Sequence, residues 1–260
     1  MSKKPLILVS NDDGITSKGI RNLVETMQKI GDVIVVAPNS PQSGMGHAIT
    51  INDPLKIRKS DIFDGVEAYE CSGTPADCIK IAKNYILPEG KEPDLVVSGI
   101  NHGSNTSVSV LYSGTMSAAI EAAIEGMPSI GFSLCDYDSD ADFSHTLELV
   151  EKIARETLEK GLQKGIALNV NFPEKRDDEI KGVKICRQAI AKWKEVFDER
   201  EDPYGRKYLW LTGEFVNHDK GEDTDEWAIK NNFVSIVPVS FDMTAHHALA
   251  FMNDEWDLID

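Results

Sequence analysis

Two aspartates, Asp12 and Asp13, stand side by side in LILVSNDDGITSKGI, the stretch from residue 6 to residue 20. A short apolar run leads into them through Asn11, and Gly14 follows. Adjacent carboxylates repel, and each resists ionising while the other is charged. A cation, a proton or open water can relieve that repulsion. A hard divalent cation such as Mg²⁺, Mn²⁺ or Ca²⁺ prefers oxygen ligands: carboxylate, hydroxyl, amide carbonyl and water. With Asp12 and Asp13, Ser43 in NSPQSGMGH and Asn101 in SGINHGSN supply such a set, and Gly44 beside Ser43 adds a position without a side chain. Taken alone, NDDG is also good chemistry for a solvated turn. The convergence of the other two polar loops favours the metal.

YSGTMSAAIEAA, residues 112–123, offers a second kind of chemistry. Ser113, Gly114 and Thr115 stand where a helix should begin, and unpaired N–H groups with the helix dipole attract anions there. The two hydroxyls add donors, and Gly114 lets a phosphate approach the backbone. Ordinary capping explains the same residues, but their position beside the aspartate loop favours a phosphate site. Neither GxxxxGK[ST] nor GxGxxG occurs at this helix, which disfavours an NTPase and a dinucleotide cofactor. His47 and His102 fall in the same loops, and each has the chemistry to orient a phosphate or protonate a leaving group. A polar surface role is the competing reading for both.

These loops need elements to hold them. PLILVS (5–10), DVIVVAP (32–38), DLVVSGI (94–100), MPSIGFSL (127–134) and IALNVNFP (166–173) read as buried strands. Between the first two, Ile20, Leu23, Val24, Met27 and Ile30 recur at helical spacing, with Ser17 as expected N-cap and Gly31 as stop. Further helices are predicted over 72–87, 113–126 and 143–161, the first with Thr74 as N-cap, Pro75 in the first turn and Asp77 at N3. Residues 48–60 and 66–71 read as a small antiparallel excursion. The alternation predicts an α/β fold: a Rossmann-like, doubly wound, mostly parallel sheet over 1–180. Ligands in such sheets bind beyond the carboxyl ends of the strands, where all three polar loops fall.

From 181 to 260 the texture changes. KGVKICRQAI (181–190), RKYLWLTGEFVN (206–217) and FVSIVPVS (233–240) read as strands, with helices over 222–232 and 244–256. Trp193, Phe197, Tyr204, Tyr208, Trp210 and Phe215 sit among many charges in a predicted projecting arm. The whole chain reads as one domain whose C-terminal arm and helix serve oligomerisation.

A net charge of −16 and no basic face argue against binding a nucleic-acid duplex. No apolar run reaches the length of a membrane span, and MSKKPLILVS is too quickly interrupted for a signal peptide, so the expectation is cytoplasmic. Cys71, Cys78, Cys135 and Cys186 form no CxxC pair, which makes zinc unlikely and reduced, buried thiols the expectation.

LVSNDDGITSKGI, VVAPNSPQSGMGHAIT, SGTPADCIKIA, DLVVSGINHGSN and LYSGTMSAAIEAAIEGMPSIGFS resemble the SurE family, the survival-protein-E nucleotidases. LNVNFP, FVSIVPVS and DMTAHHAL are similar to that family's C-terminal part. The resemblance implies a phosphatase acting on nucleoside monophosphates with one divalent metal ion per subunit, Mg²⁺ or Mn²⁺. It implies a metal held by Asp12, Asp13, Ser43 and Asn101, and a phosphate site at Ser113, Gly114 and Thr115. Asn11 and Gly44 join the substrate-binding set, and Asp12 and Asp13 the catalytic one. It also implies a homodimer or homotetramer with exchanged C-terminal segments. Between SGIN and YSGT this chain carries NTSVSVL, where the family usually has glycine and aspartate. An aspartyl-phosphate route would call for a DxD pattern, which is absent after the first strand. A nucleotide-binding regulatory module with little turnover is the alternative, and 5′ against 3′ phosphate and polyphosphate stay open.

Overall fold

A computed structural model describes residues 4–257 of the chain. The elements run β1 (Leu6–Ser10), α1 (Lys18–Gln28), β2 (Asp32–Pro38), β3 (Ile57–Ser60), β4 (Glu67–Cys71), α2 (Pro75–Ile81), β5 (Leu95–His102), α3 (Gly114–Ile124), β6 (Ser129–Leu134), α4 (Leu147–Lys160) and β7 (Ile166–Phe172). They continue with β8 (Val183–Ile185), β9 (Ala191–Glu201), β10 (Lys207–Asn217), α5 (Asp225–Lys230), β11 (Val234–Ser240) and α6 (His246–Glu255).

The apolar runs pair into a nine-stranded sheet of order β3-β4-β2-β1-β5-β6-β7-β11-β8. Its centre is parallel, from β4 through β2, β1, β5 and β6 to β7. The antiparallel pairs lie outside that centre: β3 on β4, and β11 on β7. Alternate residues of each central strand feed opposite faces. Ile7 and Val9 pack with Ile20, Leu23, Val24 and Met27 of α1, in the cluster that also holds Val150, Ile153 and Ala154 of α4. Leu8, Ile34 and Val96 face the other way, into the cluster of Cys78, Ile79, Ala118 and Ala122 from α2 and α3. The result is the expected helix–sheet–helix sandwich. The chain leaves β1 toward β2 on one side and returns to β5 on the other, so the strand order reverses between β1 and β5. That reversal opens a crevice at their carboxyl ends.

Several expected elements differ in extent. The strand expected over 48–60 shrinks to β3. Thr50 instead gives its N–H to Asp77 Oδ1 (3.1 Å) and its hydroxyl to Asp77 Oδ2 (2.6 Å), while the Thr74 hydroxyl donates to Ala48 O (2.8 Å). The start of α2 therefore holds this segment, which has no ladder partner. Thr74 caps α2 in a reciprocal box with Asp77, as expected, but the helix loosens into a π-helical turn over Ala82–Ile86. Helix α4 begins at Leu147, after a turn in which Thr146 N–H meets Phe143 O (3.0 Å). In 181–190 only Val183–Ile185 pair as a strand. Ser17 does occupy the N-cap position of α1, but its hydroxyl accepts from Asn11 Nδ2 (2.9 Å) and caps nothing.

Beyond the sheet, β9 and β10 form a separate antiparallel ribbon in register from Ala191↔Asn217 to Glu201↔Lys207. All four cysteines are free; Cys71, Cys78 and Cys186 are buried and Cys135 is half-buried. Among the described residues no helix is long and apolar enough to cross a membrane.

Helix α1 approaches β5 at Gly19, where an added Cβ would lie 1.9 Å from the Ile100 carbonyl oxygen. Backbone cannot yield as a side chain does. Gly19→Ala is expected to lower stability by about 2–3 kcal/mol, an overpacking cost, and to displace the strand end that carries Asn101. Thermal denaturation beside a metal-binding titration checks both.

Candidate active site

Strand β1 ends in a run of buried polar residues. Ser10, Asn11 and Asp12 are at most 3 % exposed. Asn11 Nδ2 donates to Gly14 O (3.0 Å) as well as to Ser17 Oγ, which closes the turn; Gly14 itself takes φ +93, where glycine pays no steric cost. Asn11 Oδ1 is buried without a hydrogen-bond partner. Burial and the neighbouring Asp13 charge push the Asp12 carboxyl up from 3.8 to about 6, against the hydroxyl and N–H of Thr115. Asp13 is more open, with its side chain 17 % exposed. Its Oδ2 accepts from the His102 N–H (3.3 Å) and lies 3.2 Å from His102 Nδ1.

The second loop is stitched to the first. Gln42 N–H donates to the Asp12 carbonyl (2.7 Å), and Gly46 N–H donates to Tyr112 O (3.1 Å). Ser43 and Gly44 lie between those two anchors, and so span the distance from the aspartate turn to the start of α3. Both are exposed, Gly44 at φ +77. Among the described residues the Ser43 hydroxyl makes no hydrogen bond to Asp12, Asp13 or Asn101, and a Cβ on Gly44 would meet nothing within 4 Å.

Asn101 is nearly buried, and its Nδ2 donates to Gly103 O (2.8 Å), which leaves Oδ1 as its free atom. The next asparagine is part of a network that the motifs did not reveal. Asn105 N–H donates to Asn171 Oδ1 and its Nδ2 to Ser133 Oγ, both at 2.8 Å, while Asn169 Nδ2 donates to Asn105 O (2.8 Å). Asn169 and Asn171 are two residues apart on β7, so one face of a core strand carries two buried amides. That alternation in LNVNFP was the available signal. Ser107 holds φ +52, a conformation that glycine adopts more cheaply. Its N–H meets buried Asp225 (2.8 Å), and its hydroxyl lies 2.9 Å from Ala189 O, at the root of the ribbon.

The start of α3 corrects one expectation. Ser113 caps the helix, its Oγ accepting from Met116 N–H (3.0 Å), and the Thr115 hydroxyl donates to Asp12 Oδ1. Thr115 is therefore turned toward the carboxylate, not toward open solvent. Gly114 stands against the same group: a Cβ there would come within 2.5 Å of Asp12 Cβ. The carboxylate pair and the helix start do meet, and the end of β5 reaches them through the His102 N–H on Asp13.

Could this place hold a cation? Among the described residues no three His, Cys, Asp or Glu side chains come together as a metal site. A cation here must be completed by neutral oxygens. The chemistry fits: two carboxylates whose repulsion is unrelieved, a free amide oxygen on Asn101, and a partnerless buried oxygen on Asn11.

A doubly wound sheet with oxygen-bearing, acidic loops at its switch point and a helix start beside them defines a Rossmann-like α/β protein. The family model described as "Survival protein SurE" matches residues 7–195. A 5′-nucleotidase SurE of Cytophaga hutchinsonii is 64 % identical over 256 residues, covering 98 % of each chain. One from Flavobacterium psychrophilum is 61 % identical, with the same coverage. The crystal structure of the SurE protein from Aquifex aeolicus superposes with a TM-score of 0.83 at 39 % identity, over 96 % of this chain and 99 % of that one. The chain belongs to the SurE family.

The raised Asp12 carboxyl makes a prediction for the metal-free protein. An acid that titrates near 6 when folded and near 3.8 when unfolded withdraws stability as pH climbs through that window. The loss above pH 6 is about 3 kcal/mol, from two pKa units at 1.36 kcal/mol each. Asp12→Asn removes it, so in EDTA at pH 7 the variant is expected to melt higher than the parent, with the gain gone at pH 4. Paired melts at the two pH values check this.

Proposed function

We propose that the chain is a divalent-metal-dependent phosphatase that releases phosphate from nucleoside 5′-monophosphates, with 3′-monophosphates as a second class to assay. The observation that carries this reading is the buried Asp12 carboxylate, pressed against Asp13 on one side and the start of α3 on the other. The names of the SurE relatives support the substrate class.

Asp12, Asp13, Asn101 and Ser43 are the residues that would hold Mg²⁺ or Mn²⁺, Ser43 by a movement of its exposed loop. Such an ion neutralises the carboxylate pair and supplies a Lewis acid for phosphoryl transfer to water. The rest falls to the chain. Thr115 fixes Asp12, and His102 fixes Asp13 through its N–H and ring. Asp13, the more exposed carboxylate, accepts a hydrogen bond from the attacking water. Asn11, Gly44, Ser113 and Gly114 line the approach of the phosphate. Positive potential at the start of α3 opposes the charge that builds on its oxygens.

The expected outcome is phosphate release from adenosine 5′-monophosphate that stops in EDTA and returns with Mg²⁺ or Mn²⁺. Asp12→Asn and Asp13→Asn should each lower kcat at least about a hundredfold. Asn101→Ala, which removes a neutral ligand, should weaken metal affinity less than either and recover with excess Mn²⁺. Tight nucleotide binding without release, with every metal tried, would leave a binding module instead.

We also infer a homo-oligomer, dimer or tetramer, joined through the part after residue 180. Phe197, Leu209, Trp210 and Leu211 on the ribbon are each more than half exposed. Helix α6 buries none of its residues, and Phe251 and Trp256 are open too. Apolar surface of this extent on two separate elements suits a second copy, and a two-stranded ribbon alone is marginal. Light scattering after size exclusion should give a multiple of 28.7 kDa, retained at high salt because screening weakens repulsion between copies of charge −16. Deleting 192–216 should shift it downward.

A further inference from the structure

His47 and Glu121 form a pair that the metal cluster does not use. Glu121 lies on α3 with its side chain only 4 % exposed, and its Oε2 is 2.8 Å from His47 Nε2. Its other oxygen takes Lys80 Nζ at 2.5 Å. Burial pushes the Glu121 carboxyl up, but the bonds from His47 and Lys80 outweigh it and hold the group below its ordinary value. It is thus a charged carboxylate, placed to receive a proton-bearing Nε2. That fixes the ring's orientation and leaves Nδ1 with no hydrogen-bond partner among the described residues, so the ring can act as an acid there when both nitrogens carry protons.

The position of the ring matters as much. His47 follows Gly46, whose N–H is bonded to Tyr112 O, and Ser113 follows Tyr112. His47 and Ser113 therefore flank one backbone contact, and both line a cavity of about 960 Å³ with Val110, Leu111 and Ser117. A nucleoside attached to a phosphate at the start of α3 has room there.

The reaction needs a donor that the rest of the site lacks. A sugar alkoxide is a strongly basic leaving group and departs poorly without a proton. The Thr115 hydroxyl is spent on Asp12, and Ser113 caps the helix. His102 is committed at Nδ1 to Asp13, its Nε2 is buried without a partner, and its ring packs edge-on to Phe143 at 4.9 Å. Among the described residues, only His47 combines a ring nitrogen with no hydrogen-bond partner, a carboxylate that orients it and a place in the cavity.

Building on the phosphatase reading above, we propose that His47, oriented by Glu121, is the general acid that protonates the departing sugar oxygen. The oxygen of water bonds to phosphorus, the phosphorus–sugar oxygen bond breaks, and its electron pair stays on the sugar oxygen. That oxygen takes the Nδ1 proton of the doubly protonated ring, which is left neutral with its Nε2–H on Glu121. Of the two protons of the water, one stays with the phosphate product and the other returns through solvent to Nδ1 of His47, so no net acid is consumed. Glu121 and Lys80 are positioning residues.

The test compares a substrate that needs this proton with one that does not. p-Nitrophenolate leaves as a stabilised anion, whereas adenosine leaves from its 5′-monophosphate as an alkoxide. In His47→Gln, and in His47→Asn as a second variant, kcat on the nucleotide is expected to fall about a hundredfold or more. On p-nitrophenyl phosphate it should fall far less, so the ratio of the two drops at least about tenfold. Glu121→Gln should move the ratio the same way by a smaller factor. Metal affinity by calorimetry should stay within about twofold in His47→Gln, since His47 is outside the proposed ligand set. A wild-type ratio in both His47 variants, whether or not both rates fall together, overturns the assignment alone. A wild-type protein that turns over neither compound overturns the phosphatase reading, and this one with it.

Discussion

A buried carboxylate beside a second carboxylate is the constraint around which the site is organised. Asp12 is nearly inaccessible, and water cannot screen it from Asp13. Three elements respond to it. The start of α3 brings the Thr115 hydroxyl and N–H to it, with Gly114 leaving the room to do so. The loop after β2 ties Gln42 N–H to the Asp12 carbonyl. The end of β5 turns His102 onto Asp13. None of these fully compensates two adjacent negative charges, and that is the gap the proposed divalent cation would fill.

That unrelieved repulsion is a local cost carried at the candidate site, the pattern expected where a fold stores strain for function. Asn105, Asn169, Asn171 and Ser133 satisfy one another in the core beneath the loop that follows Asn101. A fully satisfied polar network fixes a loop more firmly than apolar packing does. Ser107 extends the same loop to Asp225 and the root of the ribbon, so the site and the ribbon share one physical connection.

Much of the fold was legible along the chain because its signals are local. Buried strands show as unbroken apolar runs, and α1 shows as a 3.6-residue stripe. The capping box of α2 was readable from Thr74, Pro75 and Asp77. The segment 48–56 was misread because its alternation fits a strand, yet its hydrogen bonds go to Asp77 on a distant helix. Helix α4 starts late because Phe143 is fully buried in the core and the turn through Thr146 must place it there.

The sequence by itself determined the chemistry available at the strand ends: paired carboxylates, neutral oxygens, a glycine-bearing helix start and two histidines. These are matters of residue type and short spacing, which one strand-turn-helix unit carries within itself. Only the tertiary structure decided how those groups are used. It turned Thr115 toward Asp12, left Ser43 and Gly44 exposed on a bridging loop, committed His102 to Asp13 and gave His47 a buried partner in Glu121. Each of those outcomes depends on residues tens of positions apart, brought together by a sheet whose strand order differs from its chain order, and no local pattern records that order.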